Sequence, residues 1–232
     1  MKTIGDKLES FGVTGVKPGF NQHEENGVSA FETVTEKSFP GKWKVIYFWP
    51  KDFTFVCPTE IVGFDKLASQ FEERDAVLLG GSTDNEFSKL GWRRDHKDLS
   101  KLGHWSFGDS KGSLVDQLGI RDKAEGVALR ATFIVDPDNT IQHVSVNNLN
   151  VGRNPEEVLR ILDGLQTDEL CPCNRTVGGD TLSARLRASS TKPAPAGFFS
   201  ITFRRTRPWN SSPPSRHRSP TTRRTSASTS TA

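Results

Sequence analysis

The hydrophobic pattern of the chain is dominated by two short runs without charged residues, at residues 45–49 and 76–82. The first run, Val-Ile-Tyr-Phe-Trp, is β-branched and aromatic, and the second is Ala-Val-Leu-Leu-Gly-Gly-Ser. Runs of this length predict strands that are buried on both faces of an α/β sheet. Because a helical pattern follows each strand, this order predicts a parallel core sheet with right-handed crossovers.

Apolar residues recur at helical spacing after each of these strands. The apolar face of the first predicted helix consists of Ile61, Phe64, Leu67, Ala68 and Phe71. Asp84, Asn85 and Glu86 provide the cap and first turn of a second helix. The apolar residues of this second helix are Phe87, Leu90 and Trp92.

The C-terminal part of the pattern predicts a pair of antiparallel strands. Residues 131–136 and 141–146 flank the turn sequence Pro-Asp-Asn, which predicts a β-hairpin. Asn154 and Pro155 then supply the cap and first position of a last helix. A parallel half joined to a hairpin and a closing helix predicts a thioredoxin-like fold, an α/β domain whose central mixed sheet is flanked by helices.

Two segments have weaker patterns. Residues 3–39 are rich in Gly, Asn and Pro and are predicted to form edge strands and loops. Residues 100–109 are predicted to be a loop that leads into a short helix near residues 114–118.

The charge distribution separates a domain from a tail. Residues 176–232 carry ten Lys or Arg and one acid, a net charge of +9, and since the chain carries +3, residues 1–175 carry −6. Residues 183–232 contain no acid, are rich in Ser, Thr, Arg and Pro, and show no sustained periodicity. We therefore predict a domain at 1–165, an arm at 166–182 and a basic, disordered tail at 183–232.

The tail has two explanations by origin and one by function. Its abrupt composition suggests a reading-frame shift near the stop codon or a gene fusion, which resequencing would test. A nucleic-acid-binding arm is the functional alternative, because its arginines could neutralise phosphates. Few aromatic residues are interleaved with those arginines, so nucleic acid is an unfavoured partner.

The N-terminal sequence, the length of the apolar runs and the cysteine content predict a soluble, cytoplasmic protein. The N-terminal residues lack the apolar region of a secretion signal, and nowhere is there an apolar run of the roughly 20 residues that a membrane span requires. Three unevenly placed cysteines do not form the framework of a secreted disulfide protein. A reducing compartment would keep these thiols available for chemistry.

Cys57 follows the first buried strand and precedes Pro58, which suits the first turn of a helix. The unpaired N–H groups and the positive end of the helix dipole would stabilise a thiolate there, and hence a nucleophile. A buried structural cysteine is the alternative, and position alone leaves the two interpretations about even.

The spacing Pro50-x-x-x-Thr54-x-x-Cys57 changes that balance. It is the active-site motif of the peroxiredoxins, and residues 48–60, Phe-Trp-Pro-Lys-Asp-Phe-Thr-Phe-Val-Cys-Pro-Thr-Glu, resemble the AhpC type, the peroxidase subunit of alkyl hydroperoxide reductase. The resemblance implies that Cys57 attacks the peroxide, that the Thr54 hydroxyl bonds the peroxide and the thiolate, and that Pro50 shields the pocket. As an alternative, Thr54 could be an ordinary helix N-cap.

Three further residues match this family. Arg130 begins the stretch Arg-Ala-Thr-Phe-Ile-Val-Asp, in which the family places an arginine toward the reactive sulfur. Glu60 and Arg153 match residues that hold this arginine and the active-site loop. A surface ion pair is the ordinary alternative for Glu60 and Arg153.

The arm supplies the remaining two cysteines, in Leu170-Cys171-Pro172-Cys173. Cys171 matches the family's resolving cysteine, so the resemblance implies a disulfide between Cys57 of one subunit and Cys171 of another, and therefore a homodimer, with a ring-shaped higher oligomer expected. Cys173 would take over the disulfide or receive the reductant. A zinc site at Cys171 and Cys173 is disfavoured because the remaining candidate ligands, Cys57 and the histidines, are scattered and unpaired in spacing. The histidines are predicted to be surface or loop residues.

The resemblance implies a thiol peroxidase that reduces hydrogen peroxide and organic hydroperoxides. No Gly-x-Gly-x-x-Gly follows a strand, so we expect no flavin, nicotinamide or other cofactor and no metal. Electrons must then come from a separate disulfide reductase, of the AhpD type, the AhpF type or a thioredoxin. The rival interpretation is a redox-sensing or chaperone-like oligomer that uses the same thiol as a switch.

Overall fold

A seven-stranded mixed sheet forms the centre of the protein, in the strand order β4-β1-β7-β6-β5-β8-β9. The structure is a computed structural model, and it describes residues 1–184 and residue 186, all within one compact unit, Met1–Thr191. The predicted disordered tail therefore lies outside the described residues, except for its first positions.

The elements follow one another along the chain in the order expected for the α/β domain. The strands are β1 Gly12–Val16, β2 Glu24–Glu25, β3 Val28–Ser29, β4 Phe31–Thr35, β5 Trp43–Phe48, β6 Ala76–Ser82, β7 Trp105–Gly108, β8 Arg130–Val135 and β9 Ile141–Asn147. The helices are α1 Cys57–Asp65, α2 Ala68–Glu72, α3 Glu86–Asp95, α4 Ser113–Leu118 and α5 Pro155–Leu165, with a short 3₁₀ helix at Lys97–Leu99.

The pairing of the strands gives the sheet its mixed character. Strands β5, β6 and β7 are parallel, whereas β8 pairs antiparallel with both β5 and β9, as the predicted hairpin requires. Strands β1 and β4 extend the other side antiparallel, and β2 and β3 form a separate two-stranded sheet.

Alternate side chains of β5 enter two different cores. Val45 and Tyr47 pack with residues of α1, α2, α3 and α5, while Ile46 and Phe48 pack with residues of α4 and the N-terminal segment. Side chains of a strand alternate between faces, so a strand buried on both faces must be apolar throughout. This explains the uninterrupted apolar run at the centre of the sequence.

Three local predictions were wrong. The predicted loop at residues 100–109 contains β7, which lies between β6 and β1. Strand β1 is internal, and only β4 is an edge strand on that side. The single helix predicted after β5 is two helices, because Leu67 between them leaves the helical conformation.

A smaller difference concerns the exposure of one side chain. Phe87, one of the apolar residues of the predicted second helix, is exposed and packs beside Phe31, with ring centroids 5.1 Å apart. Among the described residues, no helix has the length and apolar character required to cross a membrane.

Candidate active site

Cys57 is the first residue of α1 and is 1% exposed. Pro58 follows it in the first helical turn, where the missing N–H of proline leaves no hydrogen bond unmade. The chain between β5 and α1, residues 49–56, folds over the sulfur. The thiol therefore lies at a helix N-terminus, where backbone N–H groups and the helix dipole favour a negative charge.

A cavity of about 240 Å³ opens onto this sulfur. Its walls include Pro50, Thr54, Phe55, Val127 and Leu149, so most of its lining is apolar. Lys51 and Glu125 lie at its edge and form an ion pair at 2.9 Å. The cavity admits a small substrate while it limits the access of water to the sulfur.

Thr54 lines the cavity together with Cys57 and Pro50, as the motif predicted. Its hydroxyl donates a hydrogen bond to the Lys51 carbonyl oxygen at 3.1 Å. The N-cap of α1 is Val56, without a side-chain cap bond. The alternative interpretation of Thr54 as an N-cap is therefore wrong.

Arg130, at the start of β8, brings its guanidinium to the sulfur: Nη1 lies 3.4 Å from Cys57 Sγ. The same Nη1 donates to Glu60 Oε2 at 2.5 Å, and Nε donates to the Leu149 carbonyl oxygen at 2.6 Å. Three partners fix the guanidinium, because its donors form a rigid planar fork. A fixed positive charge therefore faces the thiol.

Glu60 lies between two arginines. Its second carboxylate oxygen accepts from both the backbone N–H and Nε of Arg153, each at 2.8 Å, and Arg153 Nη1 donates to the Ala131 carbonyl oxygen at 2.8 Å. All three side chains are at most 5% exposed. Glu60 thus joins α1 to β8 and to the segment before α5, and the surface ion pair alternative is wrong.

The comparisons with known proteins can be set beside this geometry. The family described as AhpC/TSA family matches residues 4–144, more than half of the chain. The chain belongs to the AhpC/TSA family.

Related proteins agree with this assignment. Alkyl hydroperoxide reductase C of Mycolicibacterium smegmatis is 50% identical over 184 residues, which cover 78% of this chain and 94% of that protein. Among solved structures, Mycobacterium tuberculosis AhpC matches with a TM-score of 0.69 and 48% identity, covering 75% of this chain and 98% of that one. Reduced Plasmodium vivax 2-Cys peroxiredoxin matches with a TM-score of 0.69 and 32% identity over 78% and 93%.

These findings confirm the resemblance to AhpC-type peroxiredoxins and the thioredoxin-like fold. They also confirm that the protein is an enzyme, a thiol peroxidase with an antioxidant function. The roles of individual residues and the three-part division of the chain stay predictions.

In this peroxiredoxin the two arm cysteines are exposed, and all three thiols are free. Cys171 Sγ lies 3.4 Å from Thr167 Oγ1 and 3.7 Å from the Gly164 carbonyl oxygen, at the end of α5. Cys57 and Cys171 thus have different surroundings within one chain.

Within residues 1–184 and residue 186, no group of three or more His, Cys, Asp or Glu side chains is placed to hold a metal ion.

The arm that carries these cysteines is fixed by Asp163 on α5. Its carboxylate accepts from Arg175 at 2.5 Å, from Arg74 at 3.0 Å and from the Gly178 N–H at 3.0 Å. Arg175 is buried. Cys171 and Cys173 therefore lie on a segment that is anchored at both ends and exposed between them.

Sequence reasoning missed a buried histidine. The histidines were predicted to be surface or loop residues, but His104 is buried and bonds Tyr47 Oη at 2.6 Å and Asp65 Oδ1 at 3.1 Å. Burial lowers the pKa of His104, and Asp65 partly offsets this effect. Tyr47 also lies under the Arg153 guanidinium, 5.4 Å from its ring centroid, so His104 supports the arginine that holds Glu60.

Proposed function

We propose that this peroxiredoxin reduces hydrogen peroxide and organic hydroperoxides with Cys57 as the peroxidatic residue. The observation that carries the proposal is the buried Cys57 sulfur, which lies 3.4 Å from Arg130 Nη1 at an apolar cavity. A reacting peroxide needs a thiolate, donors for developing charge on oxygen, and shelter from bulk water. Cys57, Arg130 and the cavity walls supply these three requirements.

In the first step, the Cys57 thiolate attacks one peroxide oxygen and the O–O bond breaks. The sulfur is oxidised to a sulfenic acid, and the leaving oxygen takes up a proton to give water or an alcohol. The Arg130 guanidinium donates to the oxygen on which charge develops, while the Thr54 hydroxyl orients the peroxide. Pro50 keeps the cavity wall rigid, since its ring restricts the backbone.

Glu60 and Arg153 act through Arg130. Glu60 fixes the guanidinium by a charged hydrogen bond, and Arg153 fixes Glu60. Preorganised charge stabilises a transition state without the cost of reorganisation during the reaction.

In the second step, the Cys171 thiol of a second subunit attacks the sulfenic acid, water leaves, and an intersubunit disulfide forms. The exposure of Cys171 supports this role. Because the disulfide would join two subunits, the proposed assembly is a homodimer, with a ring of such dimers as the higher oligomer. An external dithiol, from an AhpD-type reductase, an AhpF-type reductase or a thioredoxin, then reduces the disulfide, with Cys173 as the proposed site of thiol exchange. Such a cycle requires reduced thiols, which is consistent with the cytoplasmic location proposed from the sequence.

The test is catalytic turnover with dithiothreitol as the reductant. The wild-type protein should consume many equivalents of hydrogen peroxide, and Cys57→Ser should consume none. Cys173→Ser is the matched control, because it removes a thiol outside the cavity and should keep turnover with this small reductant. A wild-type protein that reacts once and then stops would contradict the proposed enzyme cycle and support the rival interpretation, in which the thiol is a redox-sensing switch.

A further inference from the structure

A second buried charge cluster lies beside the active-site loop, and its centre is Lys89 on α3. The Lys89 side chain is 1% exposed, which is unusual for a lysine. Its ammonium donates to both carboxylate oxygens of Asp52, at 2.9 and 2.8 Å, and to Ser82 Oγ at 2.6 Å. It also lies 5.3 Å from the ring centroid of Trp49.

Asp52, the partner of Lys89, belongs to the loop that carries Cys57. Its carboxylate also accepts from Trp49 Nε1 at 2.7 Å and from Ser82 Oγ at 3.1 Å, and its backbone N–H donates to Asp84 Oδ2 at 2.7 Å. Side chain and backbone of one loop residue are thus tied to the end of β6 and to α3. A buried polar network in which every member is bonded makes a loop rigid.

The next residue shows why the loop needs such an anchor. Phe53 has a φ of 55°, in the left-handed region that a bulky residue adopts at a cost. Its ring stacks on Trp92 of α3, with centroids 5.6 Å apart. The turn that leads to Thr54 and Cys57 is therefore held in an unfavourable conformation by contacts to α3 on both Asp52 and Phe53.

We propose that Lys89 is a positioning residue for the peroxidase reaction: through Asp52 it fixes the loop of residues 50–56 that shapes the cavity around Cys57. This inference rests on the proposed role of Cys57. Lys89 does not line the cavity, so it acts through Asp52 and not on the substrate. Burial lowers the pKa of Lys89, whereas Asp52 and, to a smaller extent, Asp84 and Cys57 oppose that effect.

The test compares Lys89→Met with the double variant Asp52→Asn/Lys89→Met. The single variant leaves a buried carboxylate without its cation and is expected to unfold more easily. The double variant removes both charges and should recover much of the lost thermal stability. Because both variants lose the anchor, the rate constant for oxidation of Cys57 by hydrogen peroxide should fall at least about tenfold in both.

Lys44 provides the matched control. Like Lys89 it is buried, its ammonium donates to Asn139 Oδ1 at 2.9 Å, and it lies near the start of β5, away from the loop that follows this strand. Lys44→Met should lower the melting temperature but leave the oxidation rate constant within about twofold of wild type. The NMR signal of the Trp49 indole N–H should shift in both Lys89 variants and not in Lys44→Met.

The outcomes separate the two proposals. A folded double variant with the wild-type rate constant would overturn the role of Lys89, whether or not the Trp49 signal shifts. If Lys44→Met slows oxidation as much as the double variant does, the effect is one of general stability and the inference also fails. If wild-type Cys57 itself does not react with hydrogen peroxide, the proposed function fails instead.

Discussion

Replacing Arg130 by Lys tests whether a fixed guanidinium, and not merely a positive charge, activates Cys57. Arg130 contacts Leu149, Glu60 and the Cys57 sulfur through two different nitrogens. A lysine keeps the charge but has a single nitrogen, which cannot occupy both positions. The lysine side chain is also one bond shorter than that of arginine, so its ammonium falls short of the Nη1 position and is not held against the Cys57 sulfur.

The size of the effect follows from the lost contact. A hydrogen bond to a charged group contributes about 1.5–3 kcal/mol. Since about 1.36 kcal/mol corresponds to a tenfold change in rate, the rate constant for Cys57 oxidation should fall by about 10-fold to 150-fold. Stopped-flow measurement of a single oxidation by hydrogen peroxide at pH 7 gives this constant without contributions from resolution or reduction.

Arg153→Lys is the matched control for this experiment. Arg153 is as deeply buried as Arg130 and bonds the same carboxylate, but its side chain donates to Glu60 and Ala131 and not to the sulfur. It should lose comparable stability while its oxidation rate constant falls by less than about fivefold. If Arg130→Lys stays within twofold of wild type, or if both variants slow equally, the direct action of Arg130 on the sulfur is refuted.

Three further predictions concern stability and the arm. Burial lowers the pKa of His104, so the unfolded chain binds this proton more tightly and the folded protein loses stability as pH falls below about 6.5. Urea unfolding at pH 7.5 and pH 5 should therefore show a smaller loss of stability in His104→Asn than in the wild-type protein. Burial also lowers the pKa of His143, but this residue is present in both proteins and contributes equally to both losses. Gly80→Ala would place a Cβ 2.5 Å from the Tyr47 ring and should cost about 1–3 kcal/mol, whereas Gly12→Ala meets no atom within 4 Å and should not lower the melting temperature. Asp163→Asn weakens the anchor of the arm, so alkylation of Cys171 should accelerate several-fold while Cys57 oxidation is unchanged; an unchanged alkylation rate would show that the anchor does not control the arm.

Local pattern was sufficient for elements whose burial follows from their own composition. The apolar run at residues 45–49 predicted most of β5, and Asn154 with Pro155 marked the start of α5, where the Asn154 side chain accepts from the N–H groups of Glu156 and Glu157. Strand β7 was missed because its four residues, Trp-Ser-Phe-Gly, become a strand only between two neighbours. Phe107 packs there against the bare backbone of Gly81, which no local pattern could indicate.

The functional site likewise contains residues that the local sequence could identify and residues that it could not. The motif spacing placed Cys57, Thr54 and Pro50 around one cavity, and the flanking residues identified Arg130 correctly as a neighbour of the sulfur. Lys89 and His104 could not be identified, because each is polar in sequence and is buried by residues far along the chain. The partner of Lys89 is 37 residues away and that of His104 is 57 residues away, so only the assembled fold brings them together.

The measurement that most directly tests the account is a non-reducing gel of the wild-type protein after one equivalent of hydrogen peroxide, run beside Cys57→Ser, Cys171→Ser and Cys173→Ser. The account predicts a covalent dimer in the wild-type protein and in Cys173→Ser, and none in Cys57→Ser or Cys171→Ser. A dimer that persists in Cys171→Ser, or a wild-type protein that stays monomeric with Cys57 as a sulfenic acid, would contradict the proposed intersubunit disulfide.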